Sequence, residues 1–191
     1  MADARAAPIE PQVEARDVPE AGLKRLVRAA CSGEPEACDE LVARYWPSAY
    51  RTAYLVIGDA AEAEDIAQEA LLSALKSISR FRVESRFEPW LHRIVVNKAI
   101  DAWRARSRRP TPVPDIGRLV DADAPSDFDD ESLADAIISL PIEQRSVVVL
   151  RYALGYGAQE ISDLLDIPRG TVGSRLRRAL DSLSVELKEQ T

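Results

Sequence analysis

An all-α fold is predicted for this 191-residue chain, as two small helical domains joined by a flexible acidic linker. Three observations carry that expectation. Apolar residues recur at helical spacing through most of the sequence, no segment makes a convincing strand, and a proline- and aspartate-rich stretch from Pro110 to Glu131 interrupts the periodicity. Val147, Val148 and Val149 favour β structure by type. Their helical flanks and the turn residues Gly155 and Gly157 place them in a helix instead.

Residues 1–20 contain three prolines and no apolar periodicity, which predicts a flexible tail. A helical pattern begins at Gly22, with Leu23, Leu26, Val27 and Ala30 at i, i+3, i+4 and i+7. A second helix covers about Glu36 to Val56 and stops at Gly58. Asp59 followed by Glu62 is similar to a capping box, with a carboxylate able to accept from the free N–H groups that open a third helix running to about Lys76. After a loop from Ser77 to Phe87, Pro89 suits the first turn of a fourth helix ending near Arg106. These elements make a domain over 21–109. Between Pro110 and Glu131, four prolines, six aspartates and one glutamate leave too little apolar surface to offset the entropy of ordering, so 110–131 is a linker. Its full reach is at most about 70 Å. The domain over 132–191 reads as four short helices, about Ser132–Ser139, Ile142–Tyr152, Ala158–Leu165 and Arg169–Leu187.

Composition narrows the function. A hydrophobic fraction of 46% and a charged fraction of 30% are globular values and exclude wholesale disorder. No apolar run approaches the roughly 20 residues of a membrane span, and the N-terminus lacks the basic and apolar regions of a secretory signal, so a cytoplasmic protein is expected. Cys31 and Cys38 have no matching second pair and read as reduced structural thiols. His92, the sole histidine, reads as structural rather than as a ligand. There is no phosphate-binding glycine loop, nucleophile elbow or metal-ligand cluster. No catalytic residue, metal or cofactor is expected, and the chain is not expected to be an enzyme.

The formal charge of −7 argues superficially against nucleic acid, but it is segregated: residues 1–20 carry −3, 21–110 carry +3, 111–135 carry −7, and 136–191 are neutral. Residues 80–110 alone carry +6. A solvated helix face explains such a run equally well unless a shaped surface accompanies it. In the fourth helix Trp90, Arg93, Asn97, Asp101 and Arg104 share one stripe, with apolar residues on both flanks. An aromatic ring beside arginines and an amide suits an unpaired base and its backbone, while core packing is the alternative for Trp90. The segment AQEISDLLDIPRGTVGSRLRRAL has helix-turn-helix form. Its second helix buries a stripe of Val172, Leu176, Leu180, Leu183 and Leu187, and turns Thr171, Ser174, Arg177 and Arg178 outward with Arg169 at its start and Arg175 on the flank. Those side chains suit phosphates and base edges in a major groove, against the alternative of an ordinary helical hairpin. On the third helix Asp65, Gln68, Glu69 and Leu72 form an acidic strip with an apolar centre, fitted to an arginine-bearing protein or simply to solvent.

At these residues the chain resembles the extracytoplasmic-function (ECF) sigma factors of the sigma-70 family. GDAAEAEDIAQEALLSALKSISRFRVESRFEPWLHRIVVNKAIDAWR is similar to the family's region 2, and LPIEQRSVVVLRYALGYGAQEISDLLDIPRGTVGSRLRRAL to its region 4. The resemblance implies a non-enzymatic subunit that binds bacterial core RNA polymerase, through the β′ clamp helices and the β flap, and directs transcription initiation at promoter DNA. It implies polymerase contacts at Asp65, Gln68, Glu69 and Leu72. It assigns opening and reading of the minus-10 element to Phe81, Arg82, Ser85, Arg86, Phe87, Trp90, Arg93, Asn97 and Arg104. It assigns the minus-35 element to Arg169, Thr171, Ser174, Arg175, Arg177 and Arg178, and implies an anti-sigma factor as a further partner. Two positions depart from the family pattern. Gly173 follows the Thr-Val pair where a basic residue is common, and Pro168 stands where a serine-like helix cap is common. A stand-alone helix-turn-helix regulator accounts for the last 60 residues only, and a helical adaptor or enzyme leaves the arginine-bearing faces without a role.

Overall fold

The computed structural model describes residues 20–82, 86–108 and 131–189; the expected tail and linker, and with them Ser85, lie outside these residues except for Glu20 and Glu131, which open helices instead. Eight α-helices follow one another: α1 (Glu20–Cys31), α2 (Pro35–Ile57), α3 (Ala60–Ser77), α4 (Phe87–Arg108), α5 (Glu131–Ser139), α6 (Ile142–Val148), α7 (Ala158–Leu165) and α8 (Arg169–Glu189). A 3-10 turn, Ile78–Arg80, follows α3, and a π turn, Val149–Ala153, follows α6. Among the described residues there is no strand.

The helix boundaries have local causes. Pro35 occupies the first turn of α2, where its missing N–H is no loss, and Gly58 ends the helix at φ 78° with its N–H donating to the Tyr54 carbonyl. The Asp59 carboxylate then accepts from Glu62 N–H at 2.8 Å and starts α3. Only that half of a capping box forms, because the Glu62 carboxylate accepts instead from Arg106 at 2.6 Å. The helix expected over Ile142–Tyr152 is not uniform: after Val148 it widens into the π turn, which closes with Leu154 N–H donating to Val149 O and Tyr156 N–H to Leu150 O. Gly155, at φ 74°, completes the reversal. Asp166 takes the left-handed conformation between α7 and α8, and the Ser162 hydroxyl braces the same turn by donating to Ile167 O.

In the first unit α2, α3 and α4 pack on one another through Leu41, Ala53, Ile66, Ala70, Leu91 and Val95, with Val27 of α1 beside them. In the second unit α8 lies on α5, α6 and α7, burying Val172, Ala179 and Leu183. The two units are not separate in this structure. Ile142, Val147, Leu150, Ile161 and Leu164 belong to the same continuous buried cluster as the first unit, and α4 touches both α6 and α7.

Two polar side chains and one glycine hold that joint. Arg145, only 7% exposed, donates to the carbonyls of Val56 at 2.8 Å and Leu140 at 2.9 Å, and also to Ile138. Val56 and Ile138 lie in the last turns of α2 and α5, where carbonyls have no helical donor, so one guanidinium satisfies two helix ends from different units. Burial lowers its pKa to about 10, which leaves it charged at neutral pH. His92, 2% exposed, meets the Ser48 hydroxyl through Nε2 at 3.0 Å and the Tyr156 hydroxyl through Nδ1 at 2.7 Å. A neutral imidazole, one nitrogen donating and the other accepting, satisfies both. Gly58 is required twice, by its positive φ and by closeness, since a Cβ there would stand 2.6 Å from the Ile138 side chain.

Two expectations follow from the joint. Arg145→Met leaves helix-end carbonyls unsatisfied and should lower the free energy of unfolding by roughly 2 kcal/mol, measured by urea denaturation. Burial holds the His92 pKa at about 4, below its ordinary 6.5, so the neutral ring is the form the fold favours. Its contribution is complete above pH 6.5 and lost progressively as pH falls toward 4. Arg86, Glu88 and Glu160 face the same recess. The thermal midpoint should therefore drop between pH 6.5 and 5, above the ordinary carboxylate range, and His92→Gln should flatten that slope.

Candidate nucleic-acid interface

The stripe on α4 is open as expected: Arg93, Asn97, Asp101 and Arg104 are all exposed. The 3.8 Å Arg104–Asp101 pair is too loose and too solvated to hold the arginine in place. Its N-terminal end is built differently from a free stacking platform. Phe81, Phe87 and Trp90 form an aromatic cluster, with Trp90 4.9 Å from Phe81 and 5.5 Å from Phe87 between ring centroids. Tyr45 of α2 anchors it at 5.0 Å from Phe87. Phe87 is 5% exposed, which corrects the expectation of a DNA contact from this ring: it lies beneath Phe81 and Trp90 and supports them. Phe81 and Trp90 themselves are half-buried. Together with Arg80, Arg82, Pro89 and Arg93 they line a groove of about 470 Å³, which Glu160, Asp163 and Leu164 of α7 also line. Arg82 and Arg86 are exposed.

On α3 the expected strip also faces solvent. Asp65, Gln68 and Glu69 are exposed, and Leu72 is 49% exposed, unusually open for a leucine on a packed helix. The Glu69 carboxylate pairs with Lys98 of α4 at 3.1 Å. Behind the strip Ile66, Ala67, Ala70 and Ala74 are buried, so small residues let α3 lie close on its neighbours while the acidic side stays outward.

In the second unit Arg169, Arg177 and Arg178 are exposed, while Thr171, Ser174 and Arg175 are half-buried. The helix begins on the Pro168 carbonyl, which accepts from Thr171 N–H at 2.8 Å and Val172 N–H at 3.2 Å, so the proline causes no loss of register. The Ser174 hydroxyl donates to Thr171 O. Gly170 and Gly173 leave open space where side chains would stand. The buried stripe differs from expectation in one member. Leu180 is 44% exposed and Ala179 fully buried, because at 100° per residue position 180 lies about 80° round from Val172 while 179 falls within about 20°. Leu187 belongs to the last turns, whose side chains are not described.

Sequence reasoning found the faces and missed the joint. His92 was legible as structural, but its partner Tyr156 is 64 residues away. Arg145 was detectable in principle as a cation set two positions before the apolar run Val147–Leu150. Cys31 and Cys38 are free, and the Cys31 thiol donates to Ile78 O, a packing role. Among the described residues no cluster of His, Cys, Asp and Glu could hold a metal ion, and no helix is long and apolar enough to cross a membrane.

Comparison with known proteins bears on this arrangement. The sigma-70 region 2 family matches residues 41–109 and the sigma-70 region 4 family residues 130–183. SigW of Bacillus subtilis is 30% identical over 184 residues, covering 87% of this chain and 97% of that protein. SigM of Mycobacterium tuberculosis is 34% identical over 155 residues, covering 81% and 79%. Sigma-E of Escherichia coli K12 is 32% identical over 176 residues, covering 83% and 90%. Two solved structures share the fold at 24% identity. CnrH in complex with the cytosolic domain of CnrY gives a TM-score of 0.62 over 88% of this chain and 98% of that one. The sigma factor RpoE of Bartonella quintana with the anti-sigma factor NepR gives 0.66 over 78% and 96%. With region 2 and region 4 matched in order, and curated relatives aligned over most of both lengths, the chain belongs to the ECF sigma factors of the sigma-70 family.

Proposed function

We propose that this sigma factor divides promoter recognition between its two units: the groove and open stripe of α4 capture and read the unwound minus-10 strand, and α8 reads the minus-35 duplex. The sigma factor binds core RNA polymerase and directs it to start transcription at promoters. One observation carries the division of labour. The α4 face combines half-exposed Phe81 and Trp90 with Arg80, Arg82 and Arg93, whereas the open side of α8 carries arginines and hydroxyls and no aromatic ring. Rings stack only on bases that have left the helix, while arginine and hydroxyl side chains on a narrow helix suit a closed major groove. Phe87 belongs to the support of that groove rather than to the contact. The acidic α3 strip repels phosphate and fits the polymerase clamp helices instead. The chain performs no chemistry of its own, acts in the cytoplasm with the polymerase, and is held in check by an anti-sigma factor, as the Bartonella sigma factor is found with NepR.

Asp65→Arg combined with Glu69→Arg should weaken binding to core polymerase at least about tenfold with an unchanged circular dichroism spectrum, since the lost Glu69–Lys98 pair is exposed and worth at most about 1 kcal/mol. Unaltered affinity for core would assign this strip to solvent. The two DNA faces separate by promoter state. Arg178→Ala with Ser174→Ala should reduce closed-complex formation by roughly 5- to 150-fold, for about 1–3 kcal/mol of lost contact. Arg93→Ala with Asn97→Ala should spare closed binding and lower strand opening, followed by permanganate reactivity of unpaired thymines. A pre-opened bubble should relieve the opening defect of the second pair, leaving only weakened strand capture, and should not relieve the first; equal relief of both would contradict the division.

A further inference from the structure

We propose that Cys31 and Cys38 form an oxidation-sensitive dithiol, which a hydroperoxide closes into a disulfide that loosens the turn carrying one edge of the α4 groove. The link to the groove rests on the strand-capture reading proposed above; the thiol chemistry does not. These are the chain's only cysteines, seven positions apart in sequence. Cys31 is the last residue of α1, Cys38 lies in the first turn of α2, and the two helices pack on one another. The reversal between them is short and pinned. Gly33 N–H donates to Ala30 O at 3.0 Å, Glu34 N–H to Ala29 O at 3.2 Å and Cys38 N–H to Glu34 O at 3.2 Å, with Gly33 at φ 85°. Both thiols are free and half-buried. A disulfide needs Cα atoms within about 7 Å, and both cysteines sit at helix ends, which shift more easily than helix interiors.

The two thiols have different roles. Burial raises the Cys31 pKa, and the negative charge of an ionised Cys38 raises it further. Since the thiolate is the reacting form, Cys31 is a poor first target for an oxidant. Its proton is also engaged, donated to Ile78 O at 3.1 Å. Cys38 is therefore oxidised first and Cys31 resolves it. The Cys38 thiolate attacks one oxygen of hydrogen peroxide, the O–O bond breaks, and the released hydroxide takes up a proton as water. The Cys31 sulfur then attacks the Cys38 sulfenic acid. An S–S bond forms, the S–O bond breaks, and the departing hydroxide leaves with the Cys31 proton as a second water. Two thiols and one peroxide thus give one disulfide and two waters. In a reducing compartment such a bond is transient and reversed by thiol exchange, which suits a sensor and not a structural staple.

What the disulfide changes is the contact at Ile78. The Ile78 carbonyl accepts from the Cys31 thiol at 3.1 Å and from Phe81 N–H at 2.9 Å, and Ile78 itself is buried at the start of the 3-10 turn Ile78–Arg80. This turn and the two residues after it supply Arg80, Phe81 and Arg82 to the groove. Oxidation removes the Cys31 S–H and draws its sulfur toward Cys38. The carbonyl then keeps one donor of two, and the groove edge loses its tie to the end of α1. A thiol is a weak donor, so the effect on the groove is graded rather than all-or-none.

The test treats the full chain with hydrogen peroxide, removes the excess with catalase, and weighs the tryptic peptide Ala29–Arg44, which holds both cysteines. That peptide should lose the mass of two hydrogen atoms and gain no oxygen, and dithiothreitol should restore it. Oxygen added to the cysteines in place of the bond, a cross-link between two chains, or a disulfide that forms only in urea overturns the dithiol. Assembled afterwards with core polymerase on a duplex promoter, the oxidised chain should give permanganate reactivity of unpaired thymines about fivefold lower, the worth of roughly one net hydrogen bond, with binding to core unchanged. Cys38→Ser keeps the Cys31–Ile78 contact and should open the promoter equally before and after peroxide. Equal opening by the reduced chain and the disulfide-bonded chain overturns the coupling to the groove. Opening that does not depend on Arg93 and Asn97 contradicts the strand-capture reading, and the coupling falls with it, while the peptide mass still decides the dithiol.

Discussion

The arrangement of the whole molecule depends on the burial of polar groups at one joint. Arg145 and His92 are taken out of water between the two units, and each is tolerable there only while its partners stay in place. For Arg145 the partners are carbonyls at the ends of α2 and α5, and for His92 they are hydroxyls from α2 and from the loop before α7. An apolar joint of the same area would tolerate sliding. Hydrogen bonds to a guanidinium fork and to two ring nitrogens do not, so the joint has one register when shut and exposes polar groups that water readily accepts when parted.

That constraint explains how the functional faces are distributed. The aromatic cluster is anchored by Tyr45 and Phe87, so Phe81 and Trp90 keep one arrangement in the free chain. The α3 strip stays clear because its alanines spend the other side of the helix on close packing. The arginines of α8 face outward because Ala179 and Leu183 pack with Ala136 of α5 and Val148 of α6, while Val172 enters the main core. The three surfaces therefore point away from their own cores, and only the groove on α4 is shared with the other unit.

Much of this was legible in the sequence. Gly58, Asp59 and Glu62 marked a helix end and a helix start because backbone chirality and a carboxylate cap act locally. The open stripes of α3, α4 and α8 followed from helical periodicity. What escaped was set by tertiary choice. The burial of Phe87 depends on Tyr45, 42 positions earlier, and the seat of Tyr156 depends on His92, 64 positions earlier. Periodicity names the faces of a helix and is silent about which neighbour covers each.

The most direct measurement of the account is the distance between the two units, read by electron spin resonance from labels placed with unnatural amino acids at Ser107 and Ser182, both exposed and outside the proposed contacts. The free chain should give one narrow distance, set by the partners of Arg145 and His92, and Arg145→Met a broad distribution. A broad distribution in the unsubstituted free chain would contradict the account.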